Sequence, residues 1–282
     1  MKFMRNFLVM QTDFSLKSAA VSVMHGVSYQ VDRELVVEDI SHEVLKWNPY
    51  AASTNLAYTL PYWPTGTVFV SVIDPGVGTD RKACVAKTKN GYYIVTPDNG
   101  SLTHVAMEYG IEEVRVIDET VNRYPGREQI NIFHGRDLFA YCGAKLAAGK
   151  ITFEEVGRAY DVSEIVMIEI PDAYICDGVI YGINKTCNAN FGINVSNIPV
   201  CFLEQIGVKL GDMVRLTVTH CENVYFDQEI LYHRSFGYVA PGAPICYNAE
   251  GMLLGFALNL DNFMERYGTQ PGPDWKVIVR KA

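Results

Sequence analysis

The stretch "FVSVIDPGVGTDRKA", residues 69 to 83, carries an apolar run that ends in Asp74, turns through Pro-Gly-Val-Gly, and returns with Arg81. A carboxylate and a guanidinium one tight turn apart make either an ion pair that closes a loop or a pair that orients a reacting group. Two further runs end in the same way: "NFLVMQTD" in Asp13 and "GYYIVTPDN" in Asp98 and Asn99. Ligands of open parallel sheets lie outside the carboxyl ends of the strands. Three strand ends bearing Asp or Asn therefore predict a site for a polar ligand, one suited to vicinal hydroxyls. Helix N-capping is the competing reading for each residue taken singly.

His134 in "FHGRDLFAYCGAKLAAG" opens a predicted helix. The positive end of a helix disfavours the imidazolium, leaving a neutral ring that can hydrogen-bond a water or an arginine. A satisfied structural histidine is the alternative. Asp137 suits the first turn of that helix for the same dipole reason. Histidines 25, 42, 104, 220 and 233 lack metal-ligand spacing, and "HEVLK" departs from H-E-x-x-H, so no metal is expected. "GVGTDRK" is not a P-loop, and neither G-x-G-x-x-G nor a G-x-S-x-G elbow occurs. Chemistry on bound phosphates, dinucleotides or a serine acyl-enzyme is not expected.

Alternating elements must position these residues. "NFLVMQTD", "ELVVEDIS", "GTVFVSVID" and "EEVRVID" read as strands, and "KACVAKTKNGYYIVTPD" as two strands joined at Asn-Gly. "SLKSAAVSVMHGVSYQV", "NPYAASTNLAYTL", "GSLTHVAMEYG" and the segment after His134, stopped by Gly149, read as helices. This pattern predicts an α/β domain with a mostly parallel central sheet over residues 1–170. From 171 to 282 short strands punctuated by Gly, Asn and Asp predict a small all-β domain, a barrel or sandwich, whose one clear helix is "LDNFMERYG".

The 282 residues carry 24 Lys and Arg against 32 Asp and Glu, a net charge of −8, with no basic cluster that would suit nucleic acid. The opening "MKFMRNFLVMQTDF" has too short an apolar run for a signal sequence, and no run reaches the length of a membrane span. Seven cysteines, odd in number and without C-x-x-C, read as reduced thiols of a cytoplasmic protein.

Taken together, "TDFSLKSAAVSVMHGV", "DPGVGTDR", "PDNG" and "FHGRD" resemble the S-adenosyl-L-methionine (SAM) hydrolases that release adenosine, also called SAM hydroxide adenosyltransferases. These are relatives of the SAM-dependent fluorinase and chlorinase. "FGINVSNIP" and "SFGYVAPGAPICYNAEG" are similar to elements of the family's second domain. The resemblance implies an N-terminal α/β domain, a C-terminal β-barrel, and a homotrimer whose active sites lie between subunits. It implies hydrolysis of SAM to adenosine and L-methionine without a cofactor, SAM being the substrate. By motif, Asp74, Arg81 and His134 would activate water for attack at C5′. Asp13 would bind the ribose hydroxyls, Trp47 would pack on the sugar or adenine, and Phe133, Gly135 and Asn99 would line the pocket. Phe191, Asn188 and Ser235 would contact substrate from the second domain, Ser235 at the methionine end.

The chemistry implied is coherent. A sulfonium leaves as a neutral thioether, so an aligned oxygen nucleophile is needed and a general acid is not. A carboxylate beside the nucleophile would repel a halide, and Gly135 offers a halide no hydroxyl. Four positions depart from the family pattern: Ser15 stands for Gly, Ser18 for an acidic residue, Asn188 for Asp, and Ile193 for Asn. Asn188 loses a charge attraction to an ammonium group. A non-catalytic adenosine- or SAM-binding protein of the same fold therefore stands as the alternative, with a SAM-dependent halogenase behind it.

Overall fold

The computed structural model describes residues 5–282. The first four residues of the amino-terminal stretch considered above lie outside them. The chain forms two compact units, the first ending at Ile168 and the second running from Glu169 to Ala282.

Seven strands build the sheet of the first unit: β1 (Leu8–Thr12), β2 (Val37–Ser41), β3 (Val68–Val72), β4 (Ala83–Thr88), β5 (Tyr93–Pro97), β6 (Ile111–Val116) and β7 (Ala159–Tyr160). Their order is β2-β1-β3-β5-β4-β6-β7. β2, β1, β3 and β5 run parallel, while β4 is antiparallel to both β5 and β6. β1 and β3 are buried along their whole length, as strands covered on both faces must be. Side chains alternate between two apolar layers: Met10 and Val70 enter one, Val9 and Phe69 the other.

The topology gathers the strand ends. Thr12 lies opposite Val72, so Asp13 and Ile73 leave the sheet level with one another. The β4/β5 hairpin, formed at Asn90-Gly91 as expected, places Ala83 opposite Pro97. Because β4 runs back, its beginning lies at the edge where β3 and β5 end, and Arg81 sits just before it.

Helices α1 (Ala20–Val31), α2 (Pro49–Thr59), α3 (Thr103–Tyr109) and α4 (Glu119–Asn122) join these strands. α2 starts where Asn48 Oδ1 accepts a hydrogen bond from the Ala51 amide and Pro49 fills the first turn. The segment after His134 is not one regular helix. It begins with a wide π-helical turn, Gly135–Ala140, and continues as α5 (Tyr141–Ala147). π turns are uncommon and concentrate at functional sites. α5 rests directly on the sheet, since a Cβ added at Gly143 would come 2.6 Å from Val70 Cγ2.

The second unit is a closed β-barrel. Its strands are β8 (Tyr174–Cys176), β9 (Val179–Asn188), β10 (Ile193–Pro199), β11 (Met213–His220), β12 (Asn223–Tyr232), β13 (Pro244–Ala249), β14 (Leu253–Leu258) and β15 (Gly272–Lys281). The order β10-β14-β13-β12-β11-β15-β9 closes by pairing β9 with β10, and β8 is appended to β9. Alternate residues point inward; on β11, Val214, Leu216 and Val218 are all buried. Two short helices, α6 (Cys201–Gln205) and α7 (Phe263–Tyr267), accompany the barrel. α6 went unread in the sequence. All seven cysteines are free thiols; Cys84, Cys142 and Cys246 are buried, whereas Cys176, Cys201 and Cys221 are exposed. Among the described residues no helix is long and apolar enough to cross a membrane.

Candidate active site

Asp74, Arg81 and His134 form one continuous hydrogen-bonded line. Arg81 Nε donates to both carboxylate oxygens of Asp74, at 3.0 and 3.1 Å, and Nη2 donates to Oδ2 at 2.5 Å. The same Nη2 lies 2.9 Å from His134 Nδ1. A guanidinium has no acceptor, so His134 Nδ1 must accept, and the ring is the neutral tautomer protonated at Nε2. That Nε2 is buried and has no hydrogen-bond partner among the described residues.

Burial, first, and the Arg81 cation, second, hold the pKa of His134 below the ordinary histidine value. The sequence pointed to the helix end as the cause, whereas the structure supplies desolvation and a neighbouring charge. The Asp74 and Arg81 side chains are only 4% and 10% exposed, so their ion pair is shielded from screening by solvent. Arg81 also packs over Phe139, its Cζ 5.3 Å from the ring centroid.

The loops around this line are tightly tied. Asn99 Nδ2 donates to the Ile73 carbonyl at 3.0 Å, and its Oδ1 accepts from Ser101 Oγ at 2.6 Å. Asn99 thus braces the residue before Asp74. Asp98 is buried and turned inward, accepting from Tyr160 Oη and the Val166 amide, both at 2.9 Å. It is a structural carboxylate, and the strand-end pattern alone did not separate it from Asp13 or Asp74. Asp137 is buried and gripped by Arg136, at 2.6 Å from Nε and 2.7 Å from Nη2. Its role in the turn is an ion pair as well as a favourable position at the helix start.

Asp13 Oδ2 accepts from the Trp47 amide at 2.9 Å, joining the β1 end to the segment after β2. Trp47 itself has φ of +58° and is 72% exposed. A bulky residue in the left-handed region stores strain, and such strain collects at functional sites. Phe133 meets Phe14 edge to face, with centroids 5.8 Å apart. Gly135 is required at its place because an added Cβ would come 2.9 Å from Phe14 Cε2. Phe14 and Phe139 were missed from sequence. Both lie beside motif residues, but an apolar side chain announces packing, and only the fold shows what it packs against.

In the barrel, Asn188 Oδ1 accepts from the Phe191 amide at 3.3 Å. Phe191 is exposed and lines a cavity of about 380 Å³ with Ile193, Phe236, Leu258 and Leu260. Ser235 is exposed, in extended backbone just before a short 3-10 turn. The Ser15 amide donates to the His42 carbonyl at 2.7 Å.

Residues 8–157 match the SAM hydroxide adenosyltransferase N-terminal domain, and residues 190–276 the C-terminal domain of the same family. An (R)-S-adenosyl-L-methionine hydrolase of Methanocaldococcus jannaschii is 39% identical over 164 residues, which is 57% of each chain. The matched stretch thus spans less than two thirds of that relative. A fluorinase of Actinopolyspora mzabensis is 24% identical over 98% of both chains. The crystal structure of an uncharacterized conserved protein from Thermotoga maritima is 31% identical and covers 98% of this chain and 100% of that one, with a TM-score of 0.80. With "DPGVGTDR" and "FHGRD" joined in one hydrogen-bonded line, and both domain matches in order along the sequence, this chain belongs to the SAM hydroxide adenosyltransferase family.

Proposed function

We propose that the protein hydrolyses S-adenosyl-L-methionine to adenosine and L-methionine. The observation that carries this reading is the line from the Asp74 carboxylate through Arg81 to His134, which ends in a buried Nε2–H without a partner among the described residues. A donor there, backed by a fixed cation, suits an oxygen nucleophile of hydroxide character. Water held by His134 attacks C5′, the C5′–S bond breaks with its electron pair on sulfur, and the proton is lost through Asp74 to solvent. A neutral thioether leaves, so no residue need protonate it. Asp13 would take the ribose hydroxyls, with Trp47 and Phe133 against the sugar and base. Asn188, Phe191 and Ser235 would complete the site from the barrel of a neighbouring copy.

The assembly proposed is a homotrimer of a cytoplasmic protein. Trp47 and Ile132 in the first unit and Phe191 and Leu260 in the second are 69–86% exposed, apolar side chains that such an assembly would cover. The relative named an (R)-S-adenosyl-L-methionine hydrolase supports the R sulfonium epimer as the substrate.

Incubation of the purified protein with each SAM epimer, followed by chromatography, is expected to give equal amounts of adenosine and methionine from the R form. Binding of SAM or adenosine by calorimetry without product would overturn hydrolysis in favour of a binding protein. A 5′-chloro nucleoside appearing only with chloride would mark a halogenase.

A further inference from the structure

A second cluster of polar groups lies at the β2 edge of the first unit, where His25 of α1, Asp39 of β2 and His42 just beyond β2 converge. His25 Nε2 is 2.9 Å from Asp39 Oδ1, and His42 Nε2 is also 2.9 Å from that same oxygen. The ligand atoms of all three lie within 4.8 Å of one another. The two nitrogens are not equally served. His25 makes a directed hydrogen bond, whereas His42 Nε2, despite its short contact, finds no acceptable hydrogen-bond direction. The His42 side chain is 2% exposed, so this is a buried nitrogen aimed at a carboxylate and a second imidazole without a bond of its own.

We propose that His25, Asp39 and His42 bind one divalent transition-metal ion of the zinc type. Two imidazoles and a carboxylate are a donor set that zinc takes with metal–ligand distances of about 2.0–2.2 Å, which puts tetrahedral ligand atoms about 3.3 Å apart. The present 2.9 Å contacts need only a small spreading to reach that geometry. Three protein ligands leave a position to water. The other requirements are also met. His42 Nδ1 lies 2.8 Å from Thr12 Oγ1, so with Nε2 on the metal the Nδ1–H donates to a fixed hydroxyl, the usual outer support of a ligating histidine. His25 and Asp39 are 27% and 33% exposed, which gives an ion a way in.

The spacing 25, 39, 42 follows no sequence motif, because a helix and a strand edge supply the ligands separately. The site is distinct from the Asp74 line, and its test does not depend on what reaction that line performs. Its position gives it a mechanical effect. The His42 carbonyl accepts from the Ser15 amide, and the Thr12 carbonyl accepts from the Val44 amide, so a bound ion would stiffen the loop that bears Asp13.

The experiment titrates chelator-stripped full-length protein with Zn²⁺ by calorimetry, and with Co²⁺ by visible absorption, in parallel with His25→Gln and Asp39→Asn. These two positions are partly exposed, and circular dichroism without metal checks that both variants fold as the parent does. The expected result is one ion per chain, Co²⁺ bands of a four-coordinate site, a Zn²⁺-dependent rise in Tm, and an affinity at least about tenfold lower in each variant. Zn²⁺ affinity, Co²⁺ spectrum and Tm that are the same in parent and variants would overturn the proposal and leave a metal-free histidine–carboxylate cluster.

Discussion

Arg81 is the residue on which the line depends, since it alone touches both partners. Its planar fork reaches Asp74 through two nitrogens while turning Nη2 toward His134. Lysine is a point charge with no fork. Arg81→Lys is expected to lower kcat for SAM hydrolysis by about 100-fold through misplacement of the nucleophile while leaving Tm close to the parent value; an unchanged kcat would remove Arg81 from the mechanism. His134 makes a second forecast. Its folded-state pKa lies below the ordinary value, so above about pH 6.5 the ring is neutral in both the folded and unfolded states. As pH falls through that value the unfolded chain takes up the proton first, and stability is lost. Protonation would also set a second cation beside Arg81 and destroy the acceptor at Nδ1. Activity is therefore expected to be level around neutrality and to fall on the acid side, below about pH 6.5. The acid-side slope of Tm should be shallower in His134→Gln. A pH–rate profile falling already above neutrality would contradict the assignment.

At the scale of elements, close approaches decide what the scaffold tolerates. Gly143 lets α5 lie on β3, and Val70, the side chain an added methyl would strike, is fully buried and β-branched. Alanine there gains about 1 kcal/mol of helix propensity, but overpacking a filled core costs about 1–3 kcal/mol. The net expectation for Gly143→Ala is a lower Tm. Gly135→Ala presses on Phe14, next to Asp13, and is expected to raise KM more than it lowers Tm. The strands and the β4/β5 hairpin were legible because apolar alternation, buried runs and Asn-Gly turns are local signals. The π turn was not, because Phe14, which meets its first residue Gly135, comes from the end of β1 and only tertiary packing brings the two together. Nor did Asp98 differ from Asp74 as a strand-end acid until Tyr160 was placed on it.

At the scale of the whole molecule, the two classes of fold were readable from texture: βα alternation in the first unit and short Gly- and Asn-punctuated strands in the second. Barrel closure was harder, since the β9–β10 pairing that seals it is not distinguished in sequence from any other hairpin. The proposed trimer is tested by light scattering, which should return three times the 31.6 kDa chain mass. Trp47→Ser combined with Leu260→Ser should shift the mass toward monomer, and a monomeric parent would remove the assembly. The closed barrel bears on how such copies could meet. Its strands pair in a ring, but β12 meets β13 only at Leu231 and Tyr232, so among the described residues no strand pairs with residues 223–230 along that edge. That stretch of β12 is where a strand of a neighbouring copy could add, and the barrel's other contacts in any assembly are left to side chains and loops. Association through side chains should then respond to single surface substitutions, whereas pairing along β12, made by backbone groups, should not.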